Sequence, residues 1–310
     1  MAAHRPRGRS APAAAPSTGS AFSLVDLNDD LLTTLGHELC DPLRPLLAVH
    51  LSSTAKGLRG PMRTPLQELE QQHAQAKELA SIVPYIKNYE KLRDATMLDF
   101  QKERRPLTLT RWGTLGNLVR CQSLTRLTVL RIIGGSENGD LGLPLLAAGL
   151  FHGCLPSLKY LSLHITKIGA PSAEALASAL SKRTVPVLEG LSLSDNRLGD
   201  AGLSALAPSL RRLPALKKLS LGRNLIGDAG VASLVAPPTA GVLKNLDMLH
   251  LSDNRISNAG CIAIATAARN GAFPALEQFG LNDNPGYKKH YLVLLAVHER
   301  RVGWRCSTYE

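Results

Sequence analysis

Aromatic residues make up only 4% of the 310-residue chain, so any core must be built from aliphatic side chains rather than ring clusters. Cysteine is equally sparse. Cys40, Cys121, Cys154, Cys261 and Cys306 are odd in number, widely spaced and without a CxxC pair. That pattern offers no thiolate metal site and argues against a secreted disulfide scaffold. No N-x-[ST] acceptor occurs, and no apolar run approaches the ~18–20 residues a membrane span requires. The expectation is an intracellular protein, cytoplasmic or nuclear, with no membrane insertion.

Catalytic signatures are missing as well. There is no GxxxxGK[ST] phosphate loop, no HExxH and no GxSxG elbow. Gly134-Gly135 and Gly139 near Asp140 are glycine-rich, but no lysine stands where a phosphate lysine should. Cys154 lies beside His152 without a third residue to orient the pair, and Cys261 reads as a small buried hydrophobe. The expectation is therefore no enzyme, no cofactor and no metal.

Acidic residues are absent from the first 25 positions, where Arg5, Arg7 and Arg9 give +3. Residues 26–105 carry 11 basic and 12 acidic side chains, and residues 106–310 carry 22 and 13. The steps of +3, −1 and +9 make up the net +11, so the C-terminal two thirds is the basic part. Such a surface attracts an acidic partner over long range. Basic residues interleaved with aromatics, which nucleic-acid binding would need, are not found on one face.

Residues 1–22 are Ala, Pro, Ser and Arg, too poor in apolar side chains to order themselves, and read as a disordered tail. The same acid-free start also suits organelle targeting, although Pro6, Pro12 and Pro16 would interrupt an amphipathic helix. Residues 23–60 read as short helices broken at Asp41-Pro42 and Pro45. Residues 61–105 read as a helical linker or cap: Leu66, Leu69, Ala76, Leu79, Ala80 and Val83 have helical spacing up to Pro84, and a second stretch carries Ile86, Tyr89, Leu92 and Met97.

What is abundant is a repeat. LKYLSLHIT from Leu158, LEGLSLSDN from Leu188, LKKLSLGRN from Leu216, LDMLHLSDN from Leu246 and LEQFGLNDN from Leu276 align without gaps, and a divergent LTVLRIIGG starts at Leu127. In LxxLxL the side chains alternate, so Leu191 and Leu193 face inward while Ser192 and Ser194 face outward. Asn196, Asn224, Asn254 and Asn284 recur where each strand ends, with Thr166 and Gly135 in the equivalent places. An Asn there can serve loop backbone as both donor and acceptor. Asp200, Asp228 and Asn258, with Asp140 near their column, sit where helices start and read as N-caps. Leu203/Leu206/Leu210, Leu143/Leu146/Leu150 and Ala173/Leu176/Leu180 then mark one buried helix face each. Pro156, Pro186, Pro214 and Pro274 end the helices before the next strand. Tyr291, Leu294 and His298 continue the pattern as a C-terminal cap over 286–310.

This unit, with NRLGDAGLSAL and NLIGDAGVASL after the strand, resembles ribonuclease-inhibitor-type leucine-rich repeats. The resemblance implies an α/β solenoid, a horseshoe with parallel strands inside and helices outside, preceded by an all-α segment. It places six main repeats at 127–285 within a domain running 106–310. Upstream, LVDLNDDLLTTLGHELCDPLRPLLAVHLSSTAKGLR from Leu24 to Arg59 is similar to the F-box. That similarity implies that Leu27, Leu31, Leu32 and Leu35 dock a Skp-type adaptor of a ubiquitin ligase. The family's Leu-Pro start is Leu27-Asn28 here, and no Trp lies near Arg59; a plain helical cap is the other reading of the segment.

Outward strand positions form three columns, beginning at Val129, Arg131 and Ile133. Their bulky members are Arg131, Tyr160, His164, Lys218, Met248 and His250, the expected partner-binding residues on the concave face. Asp195, Arg197, Arg223, Asp253 and Arg255 form the expected rim. Together these features imply a protein-interaction module: a substrate-recognition subunit of a ubiquitin ligase or a stand-alone scaffold or regulator. The Ran GTPase activator uses similar repeats, but its acidic C-terminal tract has no counterpart in RVGWRCSTYE.

Overall fold

The computed structural model describes residues 42, 63–83, 86, 88–100, 107–134, 139–152, 155–181, 184–236, 242–289 and 292–296. Leucines two apart in each repeat put both side chains on the same face of an extended segment, and those segments stack. Strands β1 (Met97–Asp99), β2 (Val129–Ile133), β3 (Tyr160–His164), β4 (Gly190–Ser192), β5 (Lys218–Ser220), β6 (Met248–His250) and β7 (Gln278–Gly280) form one sheet in sequence order, every pair parallel. Parallel neighbours need a crossover between them. Helices supply it: α2 (Leu109–Arg120), α3 (Gly139–His152), α4 (Ala170–Ser181), α5 (Gly199–Leu210), α6 (Asp228–Val235) and α7 (Asn258–Arg269) each follow one strand.

The register lines up the hydrophobic rungs. Leu98, Leu130, Leu161, Leu191, Leu219 and Leu249 pair in one row, and all are buried. The helix leucines Leu143, Leu146, Leu150, Leu176, Leu180, Leu203, Leu206 and Leu210 close over that row from one side. Each fully buried Leu contributes about 1.5–3 kcal/mol. Between α2 and α3 the backbones come very close: Gly149 faces the backbone of Gly116, Gly116 faces the carbonyl of Leu145, and Gly142 lies under the buried Trp112 ring.

The sheet begins one strand earlier than the six repeats imply. Met97, placed by its spacing in a helical stretch, belongs to β1, and only Tyr89–Leu92 upstream of it forms a short 3-10 helix. The first of the two stretches with helical spacing is α1 (Arg63–Ser81), which buries Leu69, Ala76, Leu79 and Ala80. It lies beside α2, where Arg111 donates from Nε and Nη2 to Glu78 Oε1 at 3.2 and 3.0 Å. His73 packs edge-on against Tyr89 with ring centroids 4.6 Å apart, and its Nδ1 lies 2.7 Å from the Pro42 carbonyl. At the other end residues 292–296 are helical, with Val293 and Ala296 buried. Leu294, expected to face the core, is 42% exposed; Tyr291 and His298 lie outside the described residues. So do Leu27, Leu31, Leu32 and Leu35, with all of the F-box-like segment except Pro42.

Two polar ladders tie each unit to its neighbours. Asn254, buried, donates from Nδ2 to the carbonyls of Leu221, Leu251 and Ser252 at 3.0, 2.9 and 3.3 Å. Its Oδ1 accepts from the amides of Asn224 and Ile226 at 2.9 and 3.0 Å. It thus satisfies groups of its own loop and of the preceding one, and Asn196, Asn224 and Asn284 also reach back one unit.

The aspartate column reaches the other way. Asp200 Oδ1 accepts from the Gly227 and Gly230 amides at 2.6 and 2.9 Å, and Asp140 Oδ1 from the Gly169 amide at 2.6 Å. These residues do not cap their own helices, as the sequence pattern suggested, but the helix of the following unit. In α7 the N-cap is Ser257, not Asn258, and Ser257 is itself held by Asp228. A carboxylate one repeat back reaches the exposed amides of a helix start more directly than a side chain already inside its own first turn.

Candidate functional site

The face of the sheet that the helices leave open carries the outward columns. In the first, Tyr160 and Lys218 are exposed, Met248 is half-buried, and Gly190 between them is covered. A Cβ at Gly190 would stand 2.6 Å from Tyr160 Cδ1, so the absence of a side chain there lets the tyrosine ring lie across the neighbouring strand. In the second column Arg131 is exposed, the serines at 162, 192 and 220 are half-buried, and His250 closes the row. Its ring is bedded the same way: a Cβ at Gly222 would meet Nδ1 at 2.9 Å, and one at Gly280 would meet Cδ2 at 2.6 Å. Tyr160 and His250 are thus held down by glycines on adjacent strands, leaving a low serine floor between them.

The third column is not the open surface that alternation implies. Ser194, Gly222 and Ser252 are buried. Ser194 Oγ lies 2.8 Å from Ser220 Oγ, and Ser220 Oγ 3.4 Å from His250 Nδ1. Ser194 is satisfied in this way, whereas the buried Ser252 Oγ has no hydrogen-bond partner among the described residues.

The charged groups are mostly compensated. Arg131 pairs with Asp99 of β1 at 3.5 Å, a partner the sequence did not reveal because β1 itself was hidden. His164 Nε2 lies 3.4 Å from Asp195, and Arg223 bridges Asp195 and Asp253 at 3.4 Å each. The hydrogen bond to Asp195, followed by the Asp253 charge, pushes the Arg223 pKa up. At the opposite edge Glu189 lies 3.0 Å from Lys217 Nζ and 3.8 Å from Lys159 Nζ. Its hydrogen bond to Lys217 lowers its pKa and raises that of Lys217. Lys218, Arg197 and Arg255 are exposed. His164 and His250 stay three strands apart and have different partners, so they form no joint site.

Two pockets, of about 320 and 240 Å³, lie beside Lys77 and Tyr89 and around Arg211–Asn245, away from the open sheet face. Among the described residues no group of three or more His, Cys, Asp and Glu side chains could hold a metal ion, and no helix is long and apolar enough to cross a membrane. Cys261 is buried, and burial first, then the Asp228 charge, pushes its thiol pKa up.

Comparison with known proteins bears on the repeats. The Leucine Rich repeat family model matches residues 186–207, 213–235 and 243–265. No curated protein sequence matches the chain. Among solved structures, an internalin from Listeria monocytogenes matches with 16% identity over 67% of this chain and 88% of its own, at a TM-score of 0.18. The matched segments cover the units around β4, β5 and β6, and the same architecture continues on both sides of them. Residues 186–265 thus carry leucine-rich repeats, and the described residues form a parallel solenoid of alternating strands and helices with a helix at its N-terminal end.

Proposed function

We propose that this chain recognises an acidic protein partner on the open face of its sheet, and that residues 24–59 act as an F-box that recruits a Skp-type adaptor. The substrate-binding half of this reading rests on one observation: Tyr160 and His250 are laid flat by Gly190, Gly222 and Gly280, so both rings are ordered before a partner arrives. Pre-ordered side chains lose little freedom on association, and aromatic anchors dominate interface energetics. The +9 charge of residues 106–310 supports an acidic partner. The adaptor half rests on the F-box-like leucines.

The test uses the full chain. A purified Skp-type adaptor should co-elute with it, and Leu31→Asp with Leu35→Asp should abolish co-elution without lowering the thermal midpoint of the repeats. If the wild-type chain captures no adaptor, the protein is a stand-alone interaction scaffold. For the target, any protein captured with the chain is remeasured against Tyr160→Ala and Met248→Ala, each expected to cost about 1–3 kcal/mol. Glu174→Ala on α4 serves as the outer-face control; weakening confined to that control would move the site to the helices.

A further inference from the structure

Backbone strain and exposed apolar surface coincide at two places on the edge of the sheet where the strands end. The residue after each of β3 to β7 that precedes the Asn or Thr of the ladder adopts a left-handed conformation: Ile165, Asp195, Arg223, Asp253 and Asp283, with φ between 54° and 57°. Asp tolerates that region through local hydrogen bonding, whereas a β-branched side chain there is strained. Ile165 is that residue, yet it is 45% exposed, so core burial does not offset the strain. Two residues past Arg223, Leu225 repeats the anomaly, with φ 60° and 47% exposure. Its equivalents in other units are Lys167, Arg197 and Arg255.

Ile165 and Leu225 follow strands two apart in the sheet, roughly 10 Å from one another at the usual strand spacing, with the Asp195–Arg197 turn between them. The edge is also cationic. The loops at 165–169, 195–199, 223–227, 253–257 and 283–289 carry Lys167, Arg197, Arg223, Arg255, Lys288 and Lys289 against Asp195, Asp253 and Asp283, a net +3. The geometry points to a docking edge for a protein segment in which a large apolar side chain is flanked by carboxylates: the apolar group seats between Ile165 and Leu225, and the carboxylates face Lys167, Arg197 and Arg255. This deepens the acidic-partner reading above and rests on it. Strain retained to hold an apolar side chain in water marks a site where that side chain becomes covered.

The experiment exploits the opposite signs expected for stability and binding. Asn favours the left-handed region and carries no charge, so Ile165→Asn with Leu225→Asn relaxes the backbone and leaves the cationic edge unchanged. The double variant should gain about 2–4 °C in thermal midpoint. Full-length protein is titrated against three short fluorescein-labelled peptides: one alternating Leu with Asp, one with every Leu replaced by Ser, and one with every Asp replaced by Lys. Wild type should prefer the Leu–Asp peptide over the Ser–Asp peptide by about tenfold, and the double variant should lose that preference. A wild type that does not separate these two peptides, a double variant that retains the preference, or a fall in midpoint each overturns the docking edge. The comparison of the Leu–Asp peptide with the Leu–Lys peptide reports separately on the acidic-partner reading, which fails if the acidic peptide has no advantage.

Discussion

Asp228 and Ser257 belong to successive repeats, yet the carboxylate of the first holds the second at two points: Oδ1 accepts from the Ser257 amide at 2.8 Å and Oδ2 from its hydroxyl at 2.6 Å. Ser257 in turn accepts from the Ala259 amide at 3.1 Å, and the Gly260 amide reaches Asp228 Oδ1 at 3.0 Å. The first turn of α7 is therefore capped from the preceding unit. Asp228→Ala should cost about 1–2 kcal/mol in urea unfolding. An Ala variant as stable as wild type would show that Ser257 suffices alone.

Asn254 should be the more sensitive position. Asn254→Ala strands the amides of Asn224 and Ile226 at once, while the carbonyls of Leu221, Leu251 and Ser252 keep second donors in Asn224 Nδ2, Asn284 Nδ2 and the Arg223 amide; an unsatisfied buried group costs about 1–3 kcal/mol. We expect a loss of about 3 kcal/mol or more, read from the same denaturant series. A loss below that of Asp228→Ala would mean that water replaces the amide without penalty.

Two glycine substitutions should separate fold from surface. In Gly149→Ala the new methyl runs into the Gly116 backbone on α2, which cannot swing aside, so a loss of about 1–3 kcal/mol or more is expected. In Gly190→Ala the methyl meets only the Tyr160 ring, which can rotate into solvent. Thermal stability should barely change, while the tyrosine loses its flat bed and any partner that uses it is weakened. Equal destabilisation by both changes would show that the Tyr160 ring cannot be displaced from its bed by a methyl group.

The Glu189–Lys217 pair predicts a pH profile. The folded Glu189 carboxyl is held below its ordinary 4.5, so its contribution is present above that value and is lost as pH falls through the lower folded pKa. The folded Lys217 ammonium is held above 10.5, so its contribution persists below that value and is lost as pH rises through the higher folded pKa. Glu189→Gln should flatten the acid limb of stability against pH and reduce its dependence on salt. Superimposable acid limbs for the two proteins would exclude this.

The repeat architecture was open to reading because its signals are periodic: leucine rungs, Asn ladder and helix faces recur in register, and each copy corroborates the others. β1 escaped because Met97–Asp99 supplies one leucine rung without the LxxLxL spacing or an Asn after it. The aspartates were recognised as helix-start residues but assigned to their own helices, since linear spacing carries no information about which unit lies within reach. The outward columns place Tyr160, Lys218 and Met248 on the open side of the sheet, where the structure leaves the first two exposed and the third half-buried. They also promised an open third column, and only packing reveals that Ser194 and Ser252 are roofed. Strain at Ile165 is invisible in the letters alone; it emerges when five φ angles are compared and one residue is β-branched.

The two ladders point in opposite directions along the chain, and that sets how the molecule can change length. A segment running from Asp200 to Gly227 contains a carboxylate that serves the unit ahead and, in Asn224, an amide that serves the unit behind. Inserted in tandem, such a segment brings both of its connectors and finds their mates already waiting in its neighbours. Growth by duplication thus creates no orphaned donor or acceptor at either new junction. An array wired in this way can be lengthened until its open face matches the width of whatever it must hold.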